Sequence, residues 1–373
     1  MVFFNKISRL PPDPIFQLTP LFQADTHPGK INLGIGTYRT IEGTAYLLES
    51  VKEAEQAIFE QEKEKSYLPI IGDPSFLEAV ISLVFGERNP RIAAVQSIGG
   101  TGALRLAADL LKPMILYLPH PTWENHARIF QQAGLEVRCI SYPYRQEDLE
   151  KIPEGSALLF HASCQNPTGI DPTLPEWEAL AALCQRRRLL PFFDVAYQGF
   201  GGTLDDDVAS VRLFAKTGLE MIVAYSFAKN MGLYGERVGM LAIVSDHPQE
   251  VLSHLSEQAR GTYSTPPLHG ARIVTRILTH PETLCHWHEE IKTMHDRTYE
   301  MKNTLVAELE VKGAPYDYDQ IRMQKGLFCY LDLEEEKVLA LRQEKGLYLG
   351  PGGRINVTGL HPHNLEAVVD TLS

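Results

Sequence analysis

Short apolar runs alternate with segments of helical periodicity along the middle of the chain. Five runs predict buried strands, at residues 114–118, 157–160, 190–194, 221–224 and 238–244. The segments between several of them carry apolar residues at helical spacing and predict helices over residues 103–111, 126–133, 176–188 and 210–215. Strands that alternate with helices favour an α/β fold, with a mainly parallel sheet covered by helices on both faces.

The last part of the chain has a different pattern. Residues 281–312 are charged, with apolar residues at helical spacing, and predict long helices. Beyond them, strand patterns at 327–331 and 354–357 mix with helical patterns at 334–344 and 364–372. This order predicts a second, smaller α+β domain. We expect an N-terminal arm and part of the small domain in residues 1–44, a large domain in 45–292 and the small C-terminal domain in 293–373.

The amino-acid composition and net charge limit the kinds of partner that the protein is expected to bind. Hydrophobic residues make up 44% and charged residues 22% of the 373 residues, which is typical of a globular protein. The formal net charge of −12 argues against nucleic acid or an anionic membrane as a partner. No window approaches 18 uninterrupted apolar residues, and prolines at 11, 12 and 14 interrupt the N-terminal segment. We therefore expect neither a membrane span nor a signal peptide.

The cysteines indicate a reducing compartment. There are five, an odd number, and none forms a C-x-x-C pair. A disulfide framework or a structural zinc site is not expected, and we expect a cytoplasmic protein. The segment Cys285-His286-Trp287-His288 is rich in metal-ligand types, but residues two apart on a helix point to different faces. We therefore predict no metal site.

A glycine-rich segment is the first candidate for chemistry. Gly99-Gly100-Thr101-Gly102 precedes a predicted helix, where backbone N–H groups and the helix dipole favour an anion. The segment matches neither the Walker A pattern nor the dinucleotide fingerprint. An ordinary tight turn is the alternative, and a nucleotide-binding oxidoreductase built on this loop is another.

Two charged residues lie at or just after the ends of predicted strands. Lys229, in Ser226-Phe227-Ala228-Lys229-Asn230, comes just after an apolar run, where lost hydration lowers the pKa of an amine and makes it a nucleophile toward carbonyls. Asp194 ends another run, and the carboxyl ends of such strands line the ligand crevice of α/β sheets. A surface lysine and a helix N-cap are the alternative interpretations.

Two further segments complete the set. Asn166-Pro167-Thr168-Gly169 follows the strand that ends near His161 and predicts a turn at the edge of the sheet, with a plain connection as the alternative. Arg237 follows Lys229 by eight residues, and its guanidinium suits a phosphate.

Taken in order, these motifs resemble those of a known family. With Trp123 between the glycines and Asn166, and with Arg354 late in the chain, they are similar to the aspartate and aromatic aminotransferases, the class I branch of the fold-type I pyridoxal-phosphate enzymes. The resemblance extends from Asp13-Pro14-Ile15 almost to the C-terminus. It implies the fold-type I architecture and pyridoxal 5'-phosphate as the cofactor.

The resemblance also implies roles for individual residues. The catalytic residues would be Lys229, which holds the cofactor and shuttles a proton, Asp194, which pairs with the ring nitrogen, and Tyr197. The residues that bind the cofactor would be Gly100, Thr101, Trp123, His126, His161, Asn166, Asp194, Tyr197, Ser226, Lys229, Arg237 and Tyr67. The residues that bind the substrate would be Gly36, Trp123, Asn166, Arg260 and Arg354. Tyr67 and Arg260 would reach the site of the neighbouring subunit, which implies a homodimer with shared active sites.

The activity implied is transamination between an amino acid and 2-oxoglutarate, ping-pong through pyridoxamine phosphate. Aspartate, aromatic amino acids or both would be donors, and Arg260 suits a side-chain carboxylate. Three alternatives stay open: an enzyme mainly for tyrosine and phenylalanine, a pyridoxal-phosphate-dependent lyase on the same fold, and a non-catalytic cofactor-binding regulator. Thr37, Ser66 and Thr265 depart from the aspartate-type pattern and weaken the case for narrow aspartate specificity.

Overall fold

The computed structural model describes residues 3–373. Its strands are β1 (Ile31–Asn32), β2 (Ile92–Ile98), β3 (Ile115–His120), β4 (Glu136–Ser141), β5 (Ala157–His161), β6 (Leu190–Val195), β7 (Met221–Ser226), β8 (Val238–Val244), β9 (Phe328–Tyr330), β10 (Leu347–Tyr348) and β11 (Arg354–Asn356). Its α-helices are α1 (Leu18–Ala24), α2 (Glu49–Gln61), α3 (Pro74–Phe85), α4 (Gly99–Leu111), α5 (Asn125–Ala133), α6 (Gln146–Leu149), α7 (Leu174–Arg187), α8 (Ala209–Lys216), α9 (Pro248–Thr262), α10 (Leu268–Thr279), α11 (Pro281–Val311), α12 (Tyr318–Met323), α13 (Glu335–Lys345) and α14 (Leu365–Leu372).

A seven-stranded sheet carries the large part of the molecule. Its strand order is β2-β8-β7-β6-β5-β3-β4, and β8 runs antiparallel to both of its neighbours while the other pairs are parallel. The prediction of a mainly parallel sheet flanked by helices is confirmed. The register places His161 beside Asp194, because β5 and β6 are adjacent parallel strands. Their carboxyl ends therefore lie at the same edge of the sheet.

Apolar side chains pack on both faces of this sheet. Leu158 and Phe160 of β5 belong to one hydrophobic cluster, and Leu159 between them belongs to the other. This alternation follows from the two-residue period of a strand. Both faces are covered by helices, so every residue of β5, β7 and β8 is buried and most are apolar, as the sequence pattern indicates.

Local signals explain several helix ends. Thr173 and Glu176 form a capping box at the start of α7, with Pro175 in the first turn. Asp73 accepts hydrogen bonds from two backbone N–H groups at the start of α3. The glycines predicted as a turn before a helix are different: α4 begins at Gly99 itself, so these glycines form its first turn.

A third hydrophobic cluster lies among later residues. It contains Leu33 and residues between 305 and 372, and two small sheets pair β1 with β10 and β9 with β11. Helix α11 connects this cluster to the sheet, since Trp287 packs in the first cluster and Leu305 in the third. The long helical pattern at 281–312 thus forms one continuous helix, and the boundary predicted between 292 and 293 falls inside it. The three-part division of the chain stays a prediction.

Within residues 3–373, none of the helices combines the length and the apolar character that crossing a membrane requires.

Candidate active site

The Lys229 side chain lies three residues beyond the end of β7 and is partly buried. Its amine donates a hydrogen bond to the Gly36 carbonyl and lies 4.9 Å from the centre of the Tyr234 ring. Loss of hydration, and then the positive charges of Arg354 and Arg237, lower the pKa of Lys229 from its ordinary 10.5 to about 7. The amine is therefore largely neutral above pH 7, as a nucleophile toward a carbonyl carbon must be.

Asp194 pairs with a buried histidine. Asp194 Oδ2 lies 2.9 Å from His126 Nε2, and His126 Nδ1 lies 2.9 Å from the hydroxyl of Thr122. His126 has no exposed surface and Asp194 is 6% exposed. The carboxylate is thus held in place from behind by a chain of two side chains.

His161 lies beside this pair. Its ring centre is 5.2 Å from that of His126, and its Nδ1 is buried without a hydrogen-bond partner among the described residues. Burial, and then the neighbouring His126, lower the pKa of His161 to about 3. A neutral imidazole with a free polar atom is therefore available at the edge of the sheet to face a bound group.

An anion cradle is formed where α4 begins. A Cβ atom added to Gly99 would lie 2.8 Å from Arg237 Nη2, and one added to Gly100 would lie 3.2 Å from Ser226 Cβ. The glycines therefore let the guanidinium and the serine come close to the first turn of α4, which also includes Thr101. This turn has no side-chain cap, so its N–H groups are available to an anion.

Arg354, on β11, provides a second cationic group. It is 3% exposed, and it donates to Asn166 Oδ1 at 2.8 Å and to the Gly34 carbonyl at 3.1 Å. Its guanidinium lies 4.2 Å from the centre of the Phe328 ring. Asn166 in turn donates to the Tyr197 hydroxyl at 3.4 Å. A buried, fixed guanidinium is suited to bind a carboxylate through two parallel hydrogen bonds.

The structure brings most of the predicted site residues together. Trp123 packs edge-on against His126, with ring centres 5.2 Å apart, in the loop before α5. Tyr67 and Arg260 lie apart: Tyr67 is 93% exposed, and the Arg260 side chain hydrogen-bonds to Ser264, four residues away. Within the described residues, neither side chain makes a hydrogen bond to Lys229, Asp194 or Arg354. Both were predicted to reach the active site of a neighbouring subunit.

Sequence reasoning missed three residues that contact the site: Thr122, Tyr234 and Phe328. Tyr234 lies in the same short motif as Arg237, which was a usable signal. Thr122 precedes His126 by one helical turn, and that spacing could also have identified it. Phe328 has no signal of its own, since an apolar residue in a strand pattern looks like any core residue.

That the chain binds no metal stays a prediction. One group of potential ligands among the described residues is formed by His126, His161 and Asp194, whose ligand atoms lie within 4.8 Å of one another. It coincides with the site already described. His286, from the ligand-rich segment, instead lies 3.0 Å from the carboxylate of Glu53. A cleft of about 1160 Å³ between α3 and the end of α10 includes none of the predicted site residues in its lining.

Comparison with known proteins agrees with this geometry. Residues 28–372 match the family described as aminotransferase class I and II. The chain is 41% identical to the aspartate aminotransferase of Salmonella typhi over 395 aligned positions, which cover 99% of this chain and all of that protein. The alignment is longer than the chain, so it contains gaps in this sequence.

Solved structures give the same result. An aromatic-amino-acid aminotransferase from Burkholderia pseudomallei, covalently bound to pyridoxal phosphate, superposes with a TM-score of 0.95 at 38% identity, covering 100% of this chain and 99% of that one. A psychrophilic aromatic amino acids aminotransferase from Psychrobacter sp. B6, cocrystallised with aspartic acid, superposes with a TM-score of 0.93 at 35% identity, covering 99% and 98%.

Proposed function

The chain belongs to the class I and II aminotransferases, and within this family we propose that it transfers the amino group of aspartate and of aromatic amino acids to 2-oxoglutarate. It is a pyridoxal-phosphate-dependent aminotransferase. The observation that carries the proposal is the convergence of three groups at one edge of the sheet. These are the Lys229 amine, the buried Asp194–His126 pair and the cradle of α4 with Arg237.

The residues present fit this cofactor. The uncapped first turn of α4, together with Ser226 and Arg237, would hold its phosphate. Asp194 would hold a proton on the ring nitrogen, and Tyr197 and Asn166 would donate hydrogen bonds to the ring oxygen. His161 Nδ1, which is buried without a partner among residues 3–373, adds a polar atom at this place. Lys229 would hold the cofactor covalently.

The chain's own residues account for the proton movements. When bound, the cofactor supplies an electron sink for the charge that develops at the substrate's Cα. The Lys229 amine, once free and neutral, would accept the proton that leaves the substrate's Cα. His126 holds Asp194, and Thr122 holds His126, so the carboxylate that would face the ring nitrogen is fixed before substrate arrives.

Arg354 and Asn166 are proposed to bind the α-carboxylate that all donors share. Their hydrogen bond holds the guanidinium in one orientation without substrate, which reduces the entropy lost on binding. Arg260 is proposed to bind the side-chain carboxylate of aspartate, glutamate or 2-oxoglutarate. A related structure described as an aromatic aminotransferase with aspartic acid supports a site that accepts both classes of donor.

A homodimer with shared sites is also part of the proposal. Tyr67 is 93% exposed, and apolar residues of the N-terminal arm, including Phe3 and Phe4, are about as exposed, at 80% and 77%. A second copy of the chain would cover these residues and receive Tyr67 and Arg260. We further propose residues 1–44 and 293–373 as one small unit, supported by Leu33 in the third cluster, and a cytoplasmic location, supported by five dispersed cysteines without disulfides.

The test is a set of half-reactions with the yellow holoenzyme. Aspartate and tyrosine are each added without an acceptor. Two quantities are measured: the loss of the cofactor's absorption band and the amount of oxo acid formed. Loss with both donors supports the broad aminotransferase, whereas loss with tyrosine alone favours the aromatic alternative. Release of ammonia or CO₂ from the donor would indicate a lyase and contradict the proposal.

Lysine variants identify the residue responsible. Lys229→Ala should lose both the cofactor that borohydride fixes to the protein and nearly all turnover. Lys216→Ala, which changes an exposed lysine at the end of α8, is the matched control and should retain both. Turnover that survives in Lys229→Ala would contradict the role given to Lys229.

A further inference from the structure

Tyr234 contacts three separate parts of the site. Its main-chain carbonyl accepts a hydrogen bond from Arg237 Nη1 at 3.1 Å. Its hydroxyl accepts one from the backbone N–H of Tyr38 at 2.8 Å. Its ring lies 4.9 Å from the Lys229 amine. Tyr234 therefore connects the anion cradle, Lys229 and the segment around Gly36.

The Lys229 amine has two neighbours in this part of the site. The Gly36 carbonyl accepts its hydrogen bond, and the Tyr234 ring lies 4.9 Å from it. The Tyr234 hydroxyl also accepts a hydrogen bond from the backbone N–H of Tyr38, two residues beyond Gly36, so the ring is attached to the same segment.

The charged groups around the Lys229 amine determine what these two contacts do. The charged groups that act on the Lys229 amine are Arg354 and Arg237, and both repel an ammonium ion. The face of an aromatic ring and a carbonyl oxygen both attract one. In the protein without cofactor or substrate, the Tyr234 ring and the Gly36 carbonyl oppose this repulsion.

We propose that Tyr234 is a positioning residue that acts through Lys229. Its ring and the Gly36 carbonyl hold the amine in place before the cofactor binds. The inference rests on the proposed function, since it takes Lys229 as the residue that bonds to the cofactor. It extends that function by assigning a role to a residue that the proposed function leaves without one.

The experiment titrates Lys229 in full-length protein freed of cofactor. Lys229 is labelled by reductive methylation with formaldehyde and cyanoborohydride across a pH series, and its modified fraction is read by mass spectrometry. Wild type is compared with Tyr234→Leu, which removes the ring, and Tyr234→Phe, which keeps the ring but loses the hydroxyl. Circular dichroism checks that each variant folds, and Tyr234→Met replaces the leucine variant if that one does not.

The expected result separates the ring from the hydroxyl. Loss of the ring should move the labelling midpoint to lower pH by about half to one unit, because a desolvated cation–π contact favours the protonated amine by that order. Tyr234→Phe should stay near wild type. An unchanged midpoint in the leucine variant, a shift to higher pH, or equal shifts in both variants would each overturn the proposal.

This readout is independent of the reaction catalysed. Failure of transamination by the wild-type holoenzyme would contradict the proposed function, while the midpoint for Lys229 in the cofactor-free protein would still test the contact with Tyr234. The two hypotheses therefore fail through different measurements.

Discussion

His126 Nε2 lies 2.9 Å from Asp194 Oδ2, and the imidazole is wholly buried behind the carboxylate. The second nitrogen of His126 lies 2.9 Å from the hydroxyl of Thr122, so the pair cannot rotate freely. His161 is on the neighbouring strand, in register with Asp194. A carboxylate fixed in this way presents its charge in one direction, toward the open edge of the sheet.

Replacing Asp194 with asparagine should keep the size of the side chain and remove its charge. We expect kcat/KM with aspartate to fall by about two orders of magnitude or more, because losing one partner of a buried charged contact costs about 2–5 kcal/mol. Asp205→Asn is the control, since that acid is 80% exposed and should tolerate the change. If Asp194→Asn keeps turnover within tenfold of wild type, the role given to Asp194 is wrong.

The pH dependence of cofactor capture tests the lowered pKa of Lys229. The neutral amine is the nucleophile, and a pKa lowered to about 7 makes it the main form above that pH. The rate at which cofactor-free protein captures pyridoxal phosphate should rise with pH and level off above about 7. Stopped-flow absorbance measures it, with N-acetyl-lysine amide as the reference compound. A rate that keeps rising toward pH 10, as for that compound, would contradict the lowered pKa.

Much of the sheet was predictable because its central strands are buried on both faces. The predicted bounds of 238–244 agree with β8, since every residue of that strand is buried. Strand β4 was missed because it lies at the edge of the sheet, where most of its side chains are exposed or half-buried and no apolar run forms. Strand β2 was missed because it contains Gln96 and Ser97, which are buried. Gln96 donates to the Pro267 carbonyl and accepts from the Asp73 N–H, partners that only the fold supplies.

The residues of the site also fall into those that the sequence predicts and those that depend on the fold. Lys229 and Asp194 were predictable because Lys229 follows a strand and Asp194 lies at the carboxyl end of one, where side chains meet in α/β sheets. The contact between Tyr234 and Lys229 depends on how the loop after β7 turns back toward residues 36–38. No repeating pattern of apolar residues predicts the course of that loop. Tyr67 and Arg260 were identified through the family resemblance, and their proposed partners lie on another subunit.

Arginine variants should separate the two carboxylates of aspartate. Arg354→Leu should raise KM and lower kcat/KM for aspartate and tyrosine alike, because both carry an α-carboxylate. Arg260→Leu should lower kcat/KM for aspartate by about 30-fold or more and leave tyrosine largely unaffected, since a charge-assisted contact that the second subunit of the proposed dimer buries contributes about 2–5 kcal/mol. Steady-state kinetics with both donors and a fixed acceptor concentration measures this. Equal losses for the two donors in Arg260→Leu would contradict the role given to Arg260.

Arg354→Lys gives a finer test of the same site. Lysine keeps the positive charge but lacks the planar fork that bonds to Asn166 and the Gly34 carbonyl together. We expect it to recover only part of the loss in Arg354→Leu. Full recovery would mean that charge alone, without the fixed orientation, is sufficient.

Gly36→Ala should damage the site through Phe328. A Cβ atom at position 36 would lie 2.9 Å from Phe328 Cζ and 3.6 Å from the Lys229 amine. The Phe328 ring would have to move, and the Arg354 guanidinium, 4.2 Å from its centre, rests on that ring. We therefore expect KM to rise for every amino donor, with a smaller loss in kcat. Overpacking of a well-packed site costs about 1–3 kcal/mol, so the loss in kcat/KM should be about 5- to 150-fold.

Gly29→Ala is the matched control for that substitution. A Cβ atom there would meet only His27, at 3.8 Å, which is ordinary van der Waals contact. Its kinetics and melting temperature should match those of wild type. If Gly36→Ala also behaves as wild type, the Phe328 ring yields to the added methyl group without disturbing Arg354. The guanidinium would then be held by Asn166 and the Gly34 carbonyl rather than by the ring, because those hydrogen bonds would be the contacts left unchanged.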